Sequence, residues 1–156
     1  MGIPSRWRGL GQVLALILAL FPQMAAAEAL LTLERSRRSF ASGDPIWLLK
    51  LRDGRSLLAS WQAASGERQR QLHDRRWSPG NAAPLPPGRY RLGSPQPWGQ
   101  DLWIDLKPQF STSRSALGIH NCFPGVGCIC LPDRKALQQL ATSIQRLGIR
   151  QLTVLN

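Results

Sequence analysis

The chain has 156 residues and a formal net charge of +11 at pH 7, with 20 Lys or Arg residues against 9 Asp or Glu. This length favours one domain of ordinary size, and the strong positive charge favours anionic partners. The basic residues are mostly scattered arginines rather than one long run, which favours a wall polymer or an anionic lipid over nucleic acid.

The first 27 residues are typical of a secretory signal peptide. Arg6 and Arg8 form a basic start, an apolar run follows over residues 10–21, and small alanines precede the expected cleavage after Ala27. We therefore predict that residues 28–156 form the mature domain and that it is periplasmic or secreted. An uncleaved membrane anchor is the alternative, but the apolar run is short for a span of about 20 residues.

The first part of the predicted domain reads as a β-meander. Residues 30–38 favour a strand, residues 42–45 a turn containing proline, and residues 46–51 a second, apolar strand. The pair Asp53-Gly54 is a hairpin signal that leads into a third strand over residues 56–63.

The middle of the chain is less regular. Residues 67–77 are polar and form either a short surface helix or a loop, and residues 78–87 are rich in Pro, Gly and Ala and predict irregular structure. A turn then delivers the chain into a strand that ends at Leu92. Residues 95–99 predict another break, and residues 102–106 alternate cleanly, which is typical of a half-buried strand.

Residues 117–131 hold all three cysteines and one of the two histidines of the chain. A short apolar run ends at His120, the turn signal Pro124-Gly125 follows, and a second apolar run carries Cys128 and Cys130. This pattern predicts a hairpin-like arrangement that sets an imidazole and a thiol at facing strand ends. A thiol beside an imidazole is the minimal set of groups for nucleophilic catalysis.

One helix is predicted near the C-terminus. Pro132 and Asp133 suit its start, apolar residues at helical spacing follow, and Gly148 suits its end. Residues 149–155 then predict a last strand. The elements together indicate a single, mainly β domain with one main C-terminal helix.

Two segments of the site region resemble the signature of the L,D-transpeptidase (YkuD-like) catalytic domain: Gly118-Ile119-His120 and Gly127-Cys128-Ile129. The upstream run Pro86-Pro87-Gly88-Arg89-Tyr90 resembles the Pro-x-Gly-x-Tyr turn of that family. The resemblance runs in order through residues 28–156 and implies a β-sandwich-like fold. Only eight positions separate the histidine from the cysteine, which resembles a compact-loop variant of the family.

The resemblance also implies an activity. Cys128 would be the nucleophile, His120 the base that activates it, and the backbone amides around Gly127 the site that stabilises the tetrahedral oxyanion. The implied partners are peptidoglycan stem peptides, which would acylate the cysteine before an amine or water accepts the acyl group. We expect no cofactor, no metal, no nucleic-acid partner and membrane contact only through the signal peptide. The sequence leaves the oligomeric state open.

The sequence departs from the family pattern at Cys130, where the relatives carry an arginine that helps to hold the substrate or the site. Arg114 is a candidate replacement, and Arg114 and Asn121 are the predicted substrate contacts. Among the tryptophans, Trp77 and Trp98 lie in loop settings and are the candidates for contact with a glycan, because a tryptophan in a strand is more often part of the core.

The cysteines allow more than one pairing. A Cys122–Cys130 disulfide would brace the shortened loop in an oxidising compartment and leave Cys128 free. A regulatory disulfide that involves Cys128 is an alternative, and so is a zinc site formed by the three cysteines with His120, although the Cys-x-Cys spacing is poor for one.

The function also has alternatives. Hydrolysis alone would make the protein an L,D-carboxypeptidase. A buried, unreactive thiol and a hydrogen-bonded core histidine would instead make it a wall-binding or metal-binding protein on the same fold.

Overall fold

The computed structural model describes residues 28–77, 82–122 and 127–156. The predicted signal peptide lies outside the described residues. The described chain is mainly β with a single C-terminal α-helix, as predicted. Its elements in chain order are β1 Leu30–Ser39, β2 Pro45–Asp53, β3 Ser56–Ala63, β4 Gly88–Leu92, β5 Gln96–Trp98, β6 Asp101–Pro108, β7 Gly118–His120, β8 Ile129–Cys130, α1 Arg134–Leu147 and β9 Gln151–Val154.

The predicted meander is confirmed as β1, β2 and β3, which pair antiparallel in sequence order. Leu49 of β2 lies opposite Leu33 of β1 and Trp61 of β3, and all three side chains are buried. The chain reverses at Asp53-Gly54, and Asp53 pairs with Ser56 across the turn. Each strand therefore contributes one apolar face to the same side of the sheet.

The strands follow one another in the order β3-β2-β1-β9-β4-β6-β7-β8, with β5 beside β6. The last strand, β9, lies between β1, which it pairs in parallel, and β4, which it pairs antiparallel. The two ends of this order also meet. Ala64, which directly follows β3, exchanges two backbone hydrogen bonds of 2.8 and 2.9 Å with Cys130 of β8. This bridge closes the sheet on itself next to the cysteine segment.

The helix α1 is formed by the predicted signals. The Asp133 side chain accepts a hydrogen bond of 2.8 Å from the backbone N–H of Lys135, and Gly148 ends the helix in the left-handed conformation, with φ of 63°. The face that it buries consists of Ala136, Leu137, Leu140, Ala141 and Ile144. None of the described helices is long and apolar enough to cross a membrane.

The structure corrects one expectation for the irregular middle of the chain and decides between the alternatives for another segment. The predicted break at residues 95–99 contains the short strand β5, which pairs antiparallel with β6. In the described sheet β5 pairs only with β6, so Pro97 can lie in it because a proline at a sheet edge forfeits no ladder hydrogen bond. Residues 67–77 form turns with one 3-10 segment, Arg68–Arg70, rather than a regular helix.

Candidate functional site

The strands that carry the predicted site pair in parallel, so the predicted hairpin is wrong. Ile119 lies opposite Ile129, and His120 lies opposite Cys130. Each strand has a further partner that fixes its direction: β7 pairs antiparallel with β6, and Cys130 of β8 bridges Ala64. The predicted turn at Pro124-Gly125 lies outside the described residues. The direction in which the flanking strands pair follows from their other partners rather than from a local turn signal.

His120 lies in a row of side chains that crosses three strands. It is opposite Trp103 of β6 on one side and Cys130 of β8 on the other. Its ring stacks on Trp103 with centroids 5.2 Å apart, and Trp98 meets it edge-on at 5.1 Å. Two tryptophan rings therefore hold the imidazole in place.

The two nitrogens of His120 have different neighbours. Nδ1 lies 3.3 Å from the backbone oxygen of Asn121, and Nε2 lies 3.6 Å from Sγ of Cys122. A carbonyl oxygen only accepts hydrogen bonds, so in the neutral ring Nδ1 carries the proton and Nε2 presents its lone pair to the sulfur. Burial lowers the pKa of His120, and this effect outweighs the opposing hydrogen bond to Asn121 and the charge of Asp101.

Cys122 and Cys130 form a disulfide with their Cα atoms 5.0 Å apart. Cys130 is fully buried, whereas Cys122 is half-buried. The bond closes the loop between β7 and β8 and leaves Cys128 as the free cysteine of the described chain.

The Cys128 thiol is buried and points to the backbone that precedes β7. Its Sγ lies 3.7 Å from the carbonyl oxygen of Ala116, to which it donates, and the backbone N–H of Gly118 is directed at the sulfur. Burial raises the pKa of this thiol, although the Gly118 N–H and the positive charge of Arg114 act against the shift. Within the described residues no hydrogen bond joins Cys128 to His120.

Arg114, predicted as a substrate contact, is buried and directs its guanidinium into the protein. It donates to four backbone carbonyls, at 3.1 Å to Arg75, 3.2 Å to Ala83, 3.3 Å to Pro84 and 3.1 Å to Gly127. A guanidinium carries five N–H donors and stays charged in proteins. Arg114 therefore joins two distant segments to the residue that precedes Cys128 and keeps a positive charge close to the thiol.

Gly127 has a backbone conformation and surroundings that favour glycine. Its φ is +76°, in the left-handed region, and a Cβ added to it would collide with Nη2 of Arg114. The group that approaches Gly127 closely is therefore the protein's own arginine.

The side chain of Asn121, the other predicted substrate contact, is engaged with the backbone. Its Nδ2 donates to the carbonyl oxygens of Leu131 at 2.8 Å and Pro132 at 3.2 Å. Asn121 therefore ties the end of β7 to the chain that follows β8.

Trp47 and Trp61 lie in strands and are buried, and Trp77 is exposed. Trp98 is exposed as well, but it lies in strand β5, so its predicted loop setting is wrong. Sequence reasoning missed the contact of Trp103 with His120. The alternation of β6 placed Trp103 on the face opposite Ile104, but the strand partner that completes the contact depends on register, which the pattern does not give.

Three groups of the site lie close enough to share one metal ion. His120, Cys122 and Cys130 each place a ligand atom within 4.8 Å of the others. Cys128, which the sequence had added to a possible zinc set, does not belong to this cluster of described residues.

Comparisons of the chain with protein-family models, with curated proteins and with solved structures gave no match.

Proposed function

We propose that the protein is an L,D-transpeptidase-like enzyme in which Cys128 accepts the acyl group of a peptidoglycan stem peptide. One observation carries the proposal. The disulfide takes up the other two cysteines, and the remaining thiol follows a left-handed glycine and lies beside the strand that ends in His120. These are the residues on which the resemblance to the L,D-transpeptidase signature depends.

The proposed reaction has two steps. The Cys128 sulfur attacks the carbonyl carbon of the stem-peptide bond, an S–C bond forms, and the thiol proton passes to His120. The C–N bond then breaks and the leaving amine takes that proton. In the second step an amine or a water molecule attacks the thioester carbon, a C–N or C–O bond forms, and the C–S bond breaks. The proton that the acceptor loses passes to the Cys128 sulfur.

Gly127 supports this chemistry through its backbone. Arg114 fixes its carbonyl group, and so orients the peptide unit that carries the N–H of Cys128. An N–H held in place before the reaction is the kind of donor that stabilises a tetrahedral oxyanion. In this proposal Arg114 is a positioning residue rather than a substrate contact, and its charge favours the thiolate over the thiol.

The proposed role of His120 requires a movement of its ring. Nε2 faces Cys122, and Nδ1 faces the Asn121 carbonyl. To take the Cys128 proton, the ring has to turn away from the disulfide or act through a water molecule. Trp98, which is 53% exposed and contacts the ring, offers an apolar surface to a substrate that enters on this side.

The acyl-enzyme is testable with a carbapenem, whose strained lactam carbonyl acylates a reactive thiol. The folded protein is incubated with the compound, and its intact mass is measured. We expect one covalent adduct, located on Cys128 by peptide mapping. The matched control is Cys128→Ala, which keeps the Cys122–Cys130 disulfide and should give no adduct. Absence of an adduct on the folded wild-type protein would contradict the proposal.

Digestion of purified muropeptides separates the two enzymatic outcomes. Cross-linked products indicate transpeptidation, whereas shortened stem peptides alone indicate the L,D-carboxypeptidase alternative.

Arg114→Lys keeps a positive charge but not the fork of donors, so we expect a loss of turnover larger than the loss of substrate affinity.

A non-catalytic wall-binding protein is the second candidate, and one observation favours it. The thiol has a raised pKa and lacks a hydrogen bond to the imidazole in the described part of the chain. A protein of this kind would sediment with insoluble peptidoglycan and form no carbapenem adduct.

A further inference from the structure

The cluster of His120, Cys122 and Cys130 has the chemistry of a metal site and is occupied by a disulfide. Imidazole and thiolate are the preferred ligands of zinc. The ligand atoms of the three residues lie within 4.8 Å of one another. Nothing in the proposed acyl transfer uses the two sulfur atoms of this cluster.

The separation of the nitrogen and the first sulfur fits a shared ion. Nε2 of His120 lies 3.6 Å from Sγ of Cys122. A tetrahedral zinc ion about 2.0 Å from nitrogen and about 2.3 Å from sulfur sets these two atoms about 3.5 Å apart. The imidazole and the Cys122 sulfur are therefore already spaced for such an ion. After reduction, only Sγ of Cys130 has to move.

The orientation of the imidazole also suits a ligand. Metal-binding histidines usually donate the N–H of the other ring nitrogen to a carboxylate or a backbone carbonyl, which fixes the tautomer. Nδ1 of His120 has such a partner in the Asn121 carbonyl at 3.3 Å. The rings of Trp98 and Trp103 hold the imidazole from two further directions.

The backbones of the two cysteines are held in place by the fold and not only by the disulfide. Cys130 exchanges two backbone hydrogen bonds with Ala64, and Cys122 follows Asn121, whose side chain is anchored on the carbonyls of Leu131 and Pro132. The Cα atoms of the two cysteines therefore stay about 5.0 Å apart when the bond between their side chains is broken. Two thiolates on this spacing reach one ion by rotation of their side chains.

We propose that reduction of the Cys122–Cys130 disulfide creates a zinc site with His120, Cys122 and Cys130 as ligands. A dithiol supplies two electrons and two protons and becomes a disulfide itself, whereas a phosphine supplies the two electrons and becomes its oxide, with the oxygen and the two protons coming from water. In both cases the S–S bond breaks and two thiols form. Zn²⁺ then binds to the two thiolates and Nε2, and the two thiol protons are released. The fourth position is left to a water molecule, because Cys128 lies outside the cluster.

This inference does not rest on the proposed acyl transfer. The protein is reduced with a phosphine, separated from it without oxygen, and titrated with Zn²⁺ against a chromophoric chelator. We expect one zinc ion per reduced chain. The oxidised chain should bind zinc at least about 100-fold more weakly, since two ligands are then absent.

Four variants test the ligand set. His120→Gln, Cys122→Ser and Cys130→Ser should each weaken binding by about 100-fold or more, whereas Cys128→Ser should keep the wild-type affinity within about threefold. Near-UV circular dichroism checks that each reduced chain stays folded. Equal zinc binding by the oxidised and reduced chains would overturn the proposal. Loss of binding in Cys128→Ser alone, or a reduced chain that is unfolded with and without zinc, would overturn it as well.

Discussion

The β2–β3 hairpin and the β7–β8 pair both consist of two apolar strands joined through a glycine-containing turn signal, yet they pair in opposite ways. The hairpin is antiparallel, with Asp53 opposite Ser56 directly across the turn. The β7–β8 pair is parallel, with His120 opposite Cys130. The β2–β3 hairpin is held by the backbone hydrogen bonds between its own two strands. The β7–β8 pair depends on a disulfide and on contacts from distant parts of the chain.

The difference shows where local signals suffice. In the hairpin the two strands are joined by a tight turn, so their nearest available partners are each other. In the second pair the partners come from residues 64 and 101–108. Pairing in the candidate site is therefore decided by long-range contacts, and we expect substitutions at those contacts to be the most damaging.

The largest effect is expected for Gly127→Ala. The alanine would have to adopt the left-handed backbone conformation, and its methyl group would press against the buried guanidinium of Arg114. The backbone strain and the steric contact together should lower the free energy of unfolding by about 4 kcal/mol. Gly99→Ala is the matched control, since its φ is +60° but nothing lies within 4 Å of the added atom. It should cost about 1 kcal/mol. Urea denaturation measures both, and equal losses would refute the role of the close contact.

Arg114→Met should lower the free energy of unfolding by about 3 kcal/mol. The substitution removes the guanidinium that donates to the backbone carbonyls of Pro84 and Gly127, and a buried carbonyl that loses its donor costs free energy. Arg91→Met, at an exposed position of β4, removes the same charge and should change stability by less than about 0.5 kcal/mol. A similar small change in both variants would show that the carbonyl contacts of Arg114 are not stabilising.

The double substitution Cys122→Ser and Cys130→Ser should cost about 2.5 kcal/mol, because the lost cross-link closes a short loop. Hydrogen exchange gives the sharper test. The amide of Ile119 should lose protection, whereas that of Leu49 in the meander should exchange as in the wild type. An equal loss of hydrogen-exchange protection at Ile119 and Leu49 would show that β7–β8 does not depend on the disulfide more than the meander does.

The smallest expected effect is on the alkylation rate of Cys128 rather than on the free energy of unfolding. Because burial raises the pKa of Cys128 above that of an ordinary cysteine, the thiolate fraction at pH 7 is lower than that of a free cysteine. Alkylation by iodoacetamide should therefore become faster as the pH rises through the alkaline range. Mass spectrometry of the Cys128 peptide follows the reaction in the oxidised protein. A rate that is already maximal at pH 7 would contradict the expected direction of the shift.

The sequence predicted the parts of the fold that depend on neighbours along the chain. The bounds of β3 were predicted as residues 56–63, and the start and end of α1 at Asp133 and Gly148 follow from capping chemistry that a few residues determine. The cysteine segment was located, but its pairing direction was not, because the strand that decides the direction of β7 lies in another part of the sequence.

The surroundings of the candidate site were harder to predict than its members. His120, Cys128 and Gly127 were chosen by residue type and spacing, whereas the four carbonyls around Arg114 and the stacking of Trp103 depend on tertiary register. No periodic pattern records which carbonyl an arginine will reach. The same limitation explains why Arg114 and Asn121 were assigned to a substrate although their side chains bind the protein's own backbone.

The position of β9 has a consequence for how the domain assembles. Leu152 pairs with Leu31 on one side and with Tyr90 on the other, so the last strand in chain order joins the meander to the remaining strands. Until it docks, β1 and β4 each present an unpaired edge, and such edges attract other chains. Contacts of such large sequence separation also slow folding. Removal of residues 151–156 should therefore leave the meander joined to the other strands of the described sheet only through the Ala64–Cys130 bridge. The two exposed edges should make the shortened chain aggregate, a result that light scattering during refolding would reveal.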